Sequence, residues 1–390
     1  MAATKPFGLL ALALLALTAC STSHQHSISA GAADYQHYPA GGGLYIATTF
    51  APDGKLWRFV PEKQAVYVDY SSDFGKTFSA PVKVNSEAQK IKVSGENRPS
   101  IAIDDAGRIF VMYAAEGTQP SAVFTSVSTD NGRSFSAPTP VSDKAAEANT
   151  YQGQLAASPN GQVLAFWHDE RDRLDWKQAG NAIYSTSSQN QAFKPVAQKL
   201  ADTLCDCCRI AAAFDTDGQP VWLARFIYPG SIRDQGLIKG QKNWRVTFDD
   251  WSIEVCPEHG PALAISDTGR YHMVWFTQGN ARQGIFYANS SDKGVQFSTP
   301  LPLGNAEKLP SHPDVIAQGQ QVAVAWTEFD GSKTQLVVMQ SPDGGQTWQA
   351  AKTIADSSAE ADFPHLLHHQ QTLYVSWNSK NEGYRLLAIR

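Results

Sequence analysis

Four copies of one eight-residue turn, a spacing near 50 residues between copies, and short apolar strand patterns around each predict an all-β chain folded as a β-propeller of four-stranded blades. Seven blades are favoured, with six as the alternative. The turns are Ser71-Ser72-Asp73-Phe74-Gly75-Lys76-Thr77-Phe78, Ser128-Thr129-Asp130-Asn131-Gly132-Arg133-Ser134-Phe135, Ser290-Ser291-Asp292-Lys293-Gly294-Val295-Gln296-Phe297 and Ser341-Pro342-Asp343-Gly344-Gly345-Gln346-Thr347-Trp348. In each, Ser and Asp side chains accept backbone N–H groups, glycine takes a position with φ > 0, and the closing aromatic fills the gap between strands. Asp73 and Asp130 lie 57 residues apart, Asp292 and Asp343 lie 51 apart, and the 162 residues from Asp130 to Asp292 make three steps of 54. Two further turns belong in that interval: a worn copy at Thr186 to Phe193, and one overwritten by the segment that carries the cysteines.

Around each turn the same strands recur. Ser100-Ile101-Ala102-Ile103, a turn ending in Gly107, Ile109 to Tyr113, and Val123 to Val127 make one unit with the turn that follows. Equivalent inner strands start near Leu44, Ser100, Gln154, Ile210, Ala262, Asp314 and His365, which gives seven units. The last unit, ending Tyr384 to Ile389, lacks an outer strand, and residues near His26 to Ser29 are expected to supply it and close the ring.

Composition fits a globular chain with a core, at 42% apolar and 11% aromatic residues. A net charge of -5 gives no basic field, which excludes nucleic acid as a partner. The N-terminus reads as a processing signal, with Lys5 as the positive region and Phe7 to Leu17 as an apolar run too short to span a bilayer. It ends in Leu17-Thr18-Ala19-Cys20, which resembles the lipobox of bacterial lipoproteins, where the cysteine becomes the lipidated first residue. Ser21, in place of Asp, implies sorting to the outer membrane. The expected organisation is a signal over 1–19, lipidated Cys20 and a tether over 20–42, and one propeller domain over 43–390. The expected location is the bacterial cell envelope, facing the periplasm or the cell surface, with a monomer held to the membrane by its lipid.

Every other cysteine falls between Cys205 and Pro261, in Cys205-Asp206-Cys207-Cys208-Arg209 and Cys256-Pro257-Glu258-His259-Gly260-Pro261. Aligning units on Gly107, Gly161, Gly218 and Gly269 places Arg98, Gln152, Arg209 and Gly260 at equivalent positions just before inner strands; a looser match adds His312 and Phe363. Those positions ring the channel mouth, so Arg98, Gln152, Arg209 and His312 are candidate ligand-binding residues. Neighbouring units then bring Cys205, Cys207, Cys208, Cys256 and His259 to one end of the channel. Three outcomes stay open. An exported chain favours disulfides, thiolates with an imidazole suit copper or zinc, and Arg209 beside a thiol suits a redox-active pair.

The repeated turns resemble the Asp boxes, or BNR repeats, of the sialidase-like β-propellers. In that family the boxes are structural, and the resemblance implies an arginine triad that grips the substrate carboxylate, a Tyr nucleophile paired with Glu, and an Asp acid/base. Arg98-Pro99 stands where the family has Arg-Ile-Pro, Arg209 is a candidate second member, and Arg225 or Arg282 a third. The other ring positions hold Gln152, Gly260, His312 and Phe363, so the triad is incomplete. Tyr287 reads as packing. The expected function is a binding or metal-handling envelope protein, with a sialidase-like glycosidase or glycan binder as the alternative. Weaker features are the Trp167-His168-Asp169-Glu170-Arg171-Asp172 loop, an Arg233–Asp234 ion pair or lid, Asp249-Asp250-Trp251 as a surface turn or a support for the site at Cys256, and His365, His368 and His369, where the opposite strand parity of His368 argues against one three-His site. His24, His26 and His37 lie in the tether.

Overall fold

The computed structural model describes residues 43–390 except 117–119, 174–179, 190–191 and 194–195. The chain divides between Ala33 and Asp34, and every described residue lies in the second part. The expected signal, Cys20, the tether histidines and the closing strand near His26 to Ser29 therefore lie outside the described residues. The one helical segment described is a single 3-10 turn, Ala306–Lys308, and none is long and apolar enough to cross a membrane.

All strand pairings are antiparallel, in six sheets. Five are separate: Ala47–Phe50 to Val82–Lys83, Lys90–Lys92 to Thr139–Pro140, Ala262–Ile265 to Leu301–Leu303, Ser311–Gln318 to Lys352–Ser357, and the three strands His365–His369, Thr372–Ser379 and Gly383–Ala388. The sixth has nine strands and is two groups, Thr150–Ala157 to Gln198–Leu204 and Ala211–Phe214 to Lys242–Arg245, joined by the single pair Leu204↔Phe226. The chain thus visits seven strand groups in order. Six of them start with a strand at or within a few residues of a start expected from the sequence; the second starts earlier, at Lys90–Lys92 on the far end of Ile109–Glu116, and the expected Ser100–Ile103 strand pairs with the near end.

Each group shares a core with the next. Trp57 and Phe59 of the first pack with Val111 and Tyr113 of the second, and Met112 and Val123 pack with Trp167 and Tyr184 of the third. Phe166 and Ile183 meet Trp222 and Ile238 of the fourth, and Val221 and Leu237 meet Trp275 of the fifth. Val274 and Tyr287 then pack with Trp326 of the sixth, and Leu336 packs with Trp377 of the seventh. Seventh and first groups meet through Phe50 on Tyr374 at 5.6 Å and Phe78 on Tyr384 at 5.6 Å. The Tyr45 N–H also donates to Asp362 Oδ2 at 2.9 Å across 317 positions of sequence. Ser100–Ile103 of the second group and the leading strands of the other six surround one cavity of about 410 Å³, walled in part by small apolar side chains such as Ala47, Ala102, Ala156, Ala212 and Ala264.

The turns work as their residues require. Ser71 Oγ donates to Asp73 Oδ1 at 2.7 Å and accepts the Gly75 N–H at 2.8 Å, while Thr77 donates its N–H and hydroxyl to the same carboxylate at 2.9 and 2.6 Å. The Thr77 bonds hold Asp73 down at about 2, and Asp130 and Asp343 match it. Phe135, Phe297 and Trp348 each pack against a shared core. The third group keeps a remnant, with Ser188 paired to Phe193. In the fourth, a tight hairpin between Ile232–Lys239 and Lys242–Arg245, with Gly240 at φ +59°, replaces the turn.

Six residues beyond the alignment glycines, whose φ values run from +75° to +78°, stand Tyr113, Trp167, Ala224 and Trp275. Tyr113, Trp167 and Trp275 are buried against the preceding group. Ala224 is the departure. Leu204 and Ile210, which flank the cysteine turn, belong to the core between third and fourth groups, and the small Ala224 leaves that interface room for the turn.

Candidate functional site

Three consecutive residues organise the channel mouth. Glu96 is buried; its Oε2 accepts the N–H of Arg209 at 2.9 Å and of Gly260 at 2.7 Å, and its Oε1 accepts Arg209 Nη1 at 2.9 Å. Asn97 Oδ1 accepts the Gln152 N–H at 2.9 Å. Arg98 Nη2 donates to Asp362 Oδ1 at 2.5 Å and to Phe363 O at 3.0 Å. One tripeptide, just before the Ser100–Ile103 strand of the second group, thus ties down the third, fourth, fifth and seventh. Sequence reasoning singled out Arg98 and missed Glu96, although a run of charged and amide side chains just before an inner strand is the signal that marks it.

The candidate ring residues come together here, mostly engaged with one another. Arg209 also donates to Pro313 O at 2.8 Å. Gln152 and His312 share a backbone anomaly: each has φ +50° and sits where strand register shifts, in Thr150–Ala157 and in Ser311–Gln318. Such a bulge re-aims a side chain. At His312 it starts a row of stacked rings, with Phe363 at 3.4 Å, His259 at 4.2 Å on the other face, and Phe276 beyond it at 4.1 Å. Trp251 closes the row edge-on at 5.7 Å. The far face of Phe363 lies on Gly95, where an added Cβ would stand 1.9 Å from the ring. Burial lowers the pKa of His259, and burial together with the neighbouring His259 and Arg209 lowers that of His312 further.

The cysteines meet as two loops. Cys207 and Cys256 form a disulfide with Cα atoms 5.9 Å apart, within the span such a bridge accepts. Cys205 and Cys208 are free and buried. The sulfurs of Cys205, Cys207 and Cys208 lie within 4.8 Å of one another, as do ligand atoms of Asp206, Cys207 and Cys256. Among the described residues His259 belongs to neither group; its Nδ1 lies 2.6 Å from Pro257 O. The expected five-residue Cys/His set is therefore divided, with one bridge, two thiols, and an imidazole in the ring stack. His168, fully buried, contacts Cys208 O through Nε2 at 3.1 Å.

Arg225, expected as a possible third carboxylate grip, is 1% exposed and donates to the carbonyls of Arg233, His259 and Phe276 at 2.7 to 2.9 Å. Among the described residues it has no carboxylate partner. Hydrogen bonding from Cys208, then the charges of Arg225 and Arg233, bring Cys205 down to about 7, while burial pushes Cys208 up.

Of the remaining features, the Arg233–Asp234 pair and the surface turn at Asp249 are corrected, while Tyr287 and the histidines near the C-terminus stand as read. Arg233 and Asp234 do not pair: Arg233 donates to Ile253 O at 2.9 Å, and Asp234 takes Arg245. Asp249 is no surface turn; it is buried, accepts the Trp275 indole N–H at 2.8 Å and holds Arg282. Asp169 is buried, accepting the Trp167 indole at 2.9 Å and Arg171 at 2.8 Å. His365 faces Asp314 at 3.5 Å, whereas His369 stacks on Phe50 at 4.7 Å, so the three histidines share no site. Tyr287 is buried beside His272 Nδ1, 2.7 Å from its hydroxyl. A phenol–carboxylate pair does occur elsewhere: Tyr151 donates to Glu170 Oε1 at 2.9 Å, and burial with the Glu170 charge raises the phenol pKa.

Neither a protein-family model nor a curated protein sequence matches the chain. Solved structures do. A polysaccharide lyase of family PL25, an ulvan lyase, matches at TM-score 0.59 and 13% identity, over 89% of this chain and 94% of that one. The lectin BP39L of Burkholderia pseudomallei matches at TM-score 0.57 and 14% identity, over 90% and 100%. An inactive virginiamycin B lyase of Staphylococcus aureus matches at TM-score 0.54 and 11% identity, over 91% and 97%. At these identities the likeness is one of fold alone, and it agrees with the all-β propeller expected from the repeats.

Removing one member of a buried, hydrogen-bonded ion pair costs roughly 3–5 kcal/mol. Glu96→Ala is expected to destabilise the protein by about that amount, read as a lower urea midpoint, with Arg209→Ala added to it costing much less than a second full increment. An unchanged midpoint in Glu96→Ala contradicts the structural role. The buried histidines set an acid limit. His168 and His272 are held at about 4 by burial, below the unfolded value near 6.5. Stability from these neutral rings is complete above roughly pH 6.5 and drains away as pH falls toward about 4, by roughly 3 kcal/mol for each ring. Urea midpoints at neutral pH and near pH 5 check it, and equal midpoints refute it.

Proposed function

We propose that the protein is an envelope-anchored, seven-bladed propeller whose cysteine turn binds one soft metal ion, copper(I) first, and that it acts as a binding protein. The observation that carries this reading is the convergence of the Cys205, Cys207 and Cys208 sulfurs within 4.8 Å on one short turn. A compact set of thiolates suits copper(I), which is soft, better than zinc, which takes four ligands in structural sites. His259 is a poor fourth ligand: its Nδ1 is engaged with Pro257 O and both ring faces are covered. The buried Arg225 guanidinium supplies positive charge beside thiolates. Because Cys207 is bridged to Cys256, loading requires that bridge to open.

The glycan-directed alternative has the neighbours' fold and the Tyr151–Glu170 pair in its favour. It needs arginines free to grip a carboxylate. Arg98, Arg209, Arg225 and Arg282 are all engaged inside the protein, and the raised phenol pKa leaves Tyr151 protonated.

Copper(I) titrated anaerobically against a chromophoric competitor tests the site. The reduced protein should retain one equivalent, the disulfide form far less, and Cys205→Ser or Cys208→Ser should lose it; no copper on the reduced wild type, or turnover of a fluorogenic sialoside, overturns the reading. The anchor is tested separately. Cys20→Ser should move the protein from the membrane fraction to the soluble fraction, and an unchanged distribution contradicts lipidation at Cys20.

A further inference from the structure

We propose that the four cysteines of the channel mouth form a thiol–disulfide exchange relay, in which one disulfide moves between the outer pair Cys207–Cys256 and the inner pair Cys205–Cys208. The sulfurs form an unbroken series. Cys256 is bonded to Cys207, Cys207 Sγ lies 3.6 Å from Cys205 Sγ, and Cys205 Sγ lies 2.9 Å from Cys208 Sγ. Cys205 therefore touches both of its possible partners, as exchange through a mixed disulfide requires. The series also runs from outside to inside: Cys256 is exposed, whereas Cys205 and Cys208 are each 1% exposed. Cys205 and Cys208 bracket a Cys-x-x-Cys turn, closed by the Cys208 N–H on Cys205 O at 3.4 Å, a spacing that lets two thiols of one turn join.

The chemistry balances without an added oxidant or an ion. The Cys205 thiolate attacks Cys207 Sγ; the 205–207 bond forms, the 207–256 bond breaks, and its electron pair leaves on Cys256. Asp206 Oδ1, 3.6 Å from Cys256 Sγ, stands where it can pass that sulfur the proton released from Cys205. The Cys208 thiolate then attacks Cys205 Sγ, forming the 205–208 bond and expelling Cys207 as a thiolate. One disulfide and two thiols exist before and after. What changes is their place: the inner form stores the disulfide away from solvent, unties the two loops, and presents Cys256 as a free thiol to a disulfide of another exported protein. The relay stands apart from the metal reading, because it needs the four sulfurs and no ion.

The test uses the full-length protein, fully reduced, with a chelator present, and treated with one equivalent of the thiol oxidant diamide. Samples are quenched in acid over time, alkylated, and mapped by peptide mass, so that each cysteine is read on its own peptide. The expected result is an early Cys207–Cys256 bridge that declines as Cys205–Cys208 rises at a constant one disulfide per chain, with native Cys256 changing from protected to alkylatable. In Cys205→Ser the outer bridge should form and stay, and in Cys208→Ser the exchange should stop at a Cys205–Cys207 bridge. A wild type whose outer bridge persists while both inner thiols remain alkylatable after unfolding overturns the relay, as does equal loss of that bridge in Cys205→Ser. The wild-type time course is decisive by itself if either variant fails to fold.

Discussion

The geometry of the channel mouth depends on one buried carboxylate. Glu96 stands on the loop between Lys90–Lys92 and Ser100–Ile103 of the second strand group and accepts the N–H groups that begin the approach to the fourth and fifth. An unpaired carboxylate there would carry a large desolvation penalty, and the Arg209 guanidinium removes it. Because Arg209 directly follows Cys208, and Gly260 directly follows His259, the same contact fixes where the cysteine turn and the ring stack begin. Asn97 and Arg98 extend the tie to the third and seventh groups. The mouth is thus positioned by polar contacts that span the ring, while the apolar seams between adjacent groups hold the body.

That division explains what the sequence disclosed. The Asp boxes are local: Ser71, Asp73, Gly75 and Thr77 satisfy one another within one turn, so their chemistry shows in eight letters and their spacing betrays the repeat. Ring positions found by aligning turn glycines were legible for the same reason, because Gly107, Gly161, Gly218 and Gly269 do adopt one backbone conformation. Partnerships across the ring were not. Asp249 looks like a surface residue beside Asp250 until Trp275 and Arg282 close on it. Arg225 looks like a ligand grip until three carbonyls surround it. Long-range pairing of charged groups leaves no periodic trace in one sequence.

The fourth group shows how a repeat accommodates a site. It has lost its Asp box to a hairpin, it carries Ala224 where related groups bury an aromatic, and it is entered through the cysteine turn. Each change removes bulk or regularity from the repeat. Such local departures are where function is expected in an otherwise self-consistent chain.

The bond from Tyr45 to Asp362 joins positions 317 apart, and this has a kinetic meaning. A closed ring of groups leaves one face of its first member without its partner until its last has been made, so that leading edge stays open throughout synthesis. Loop closure over such a length is slow to begin and sensitive to interference. A chain built this way depends on being kept from premature association until its C-terminus arrives, and truncation by even one group would leave both ends searching for a partner.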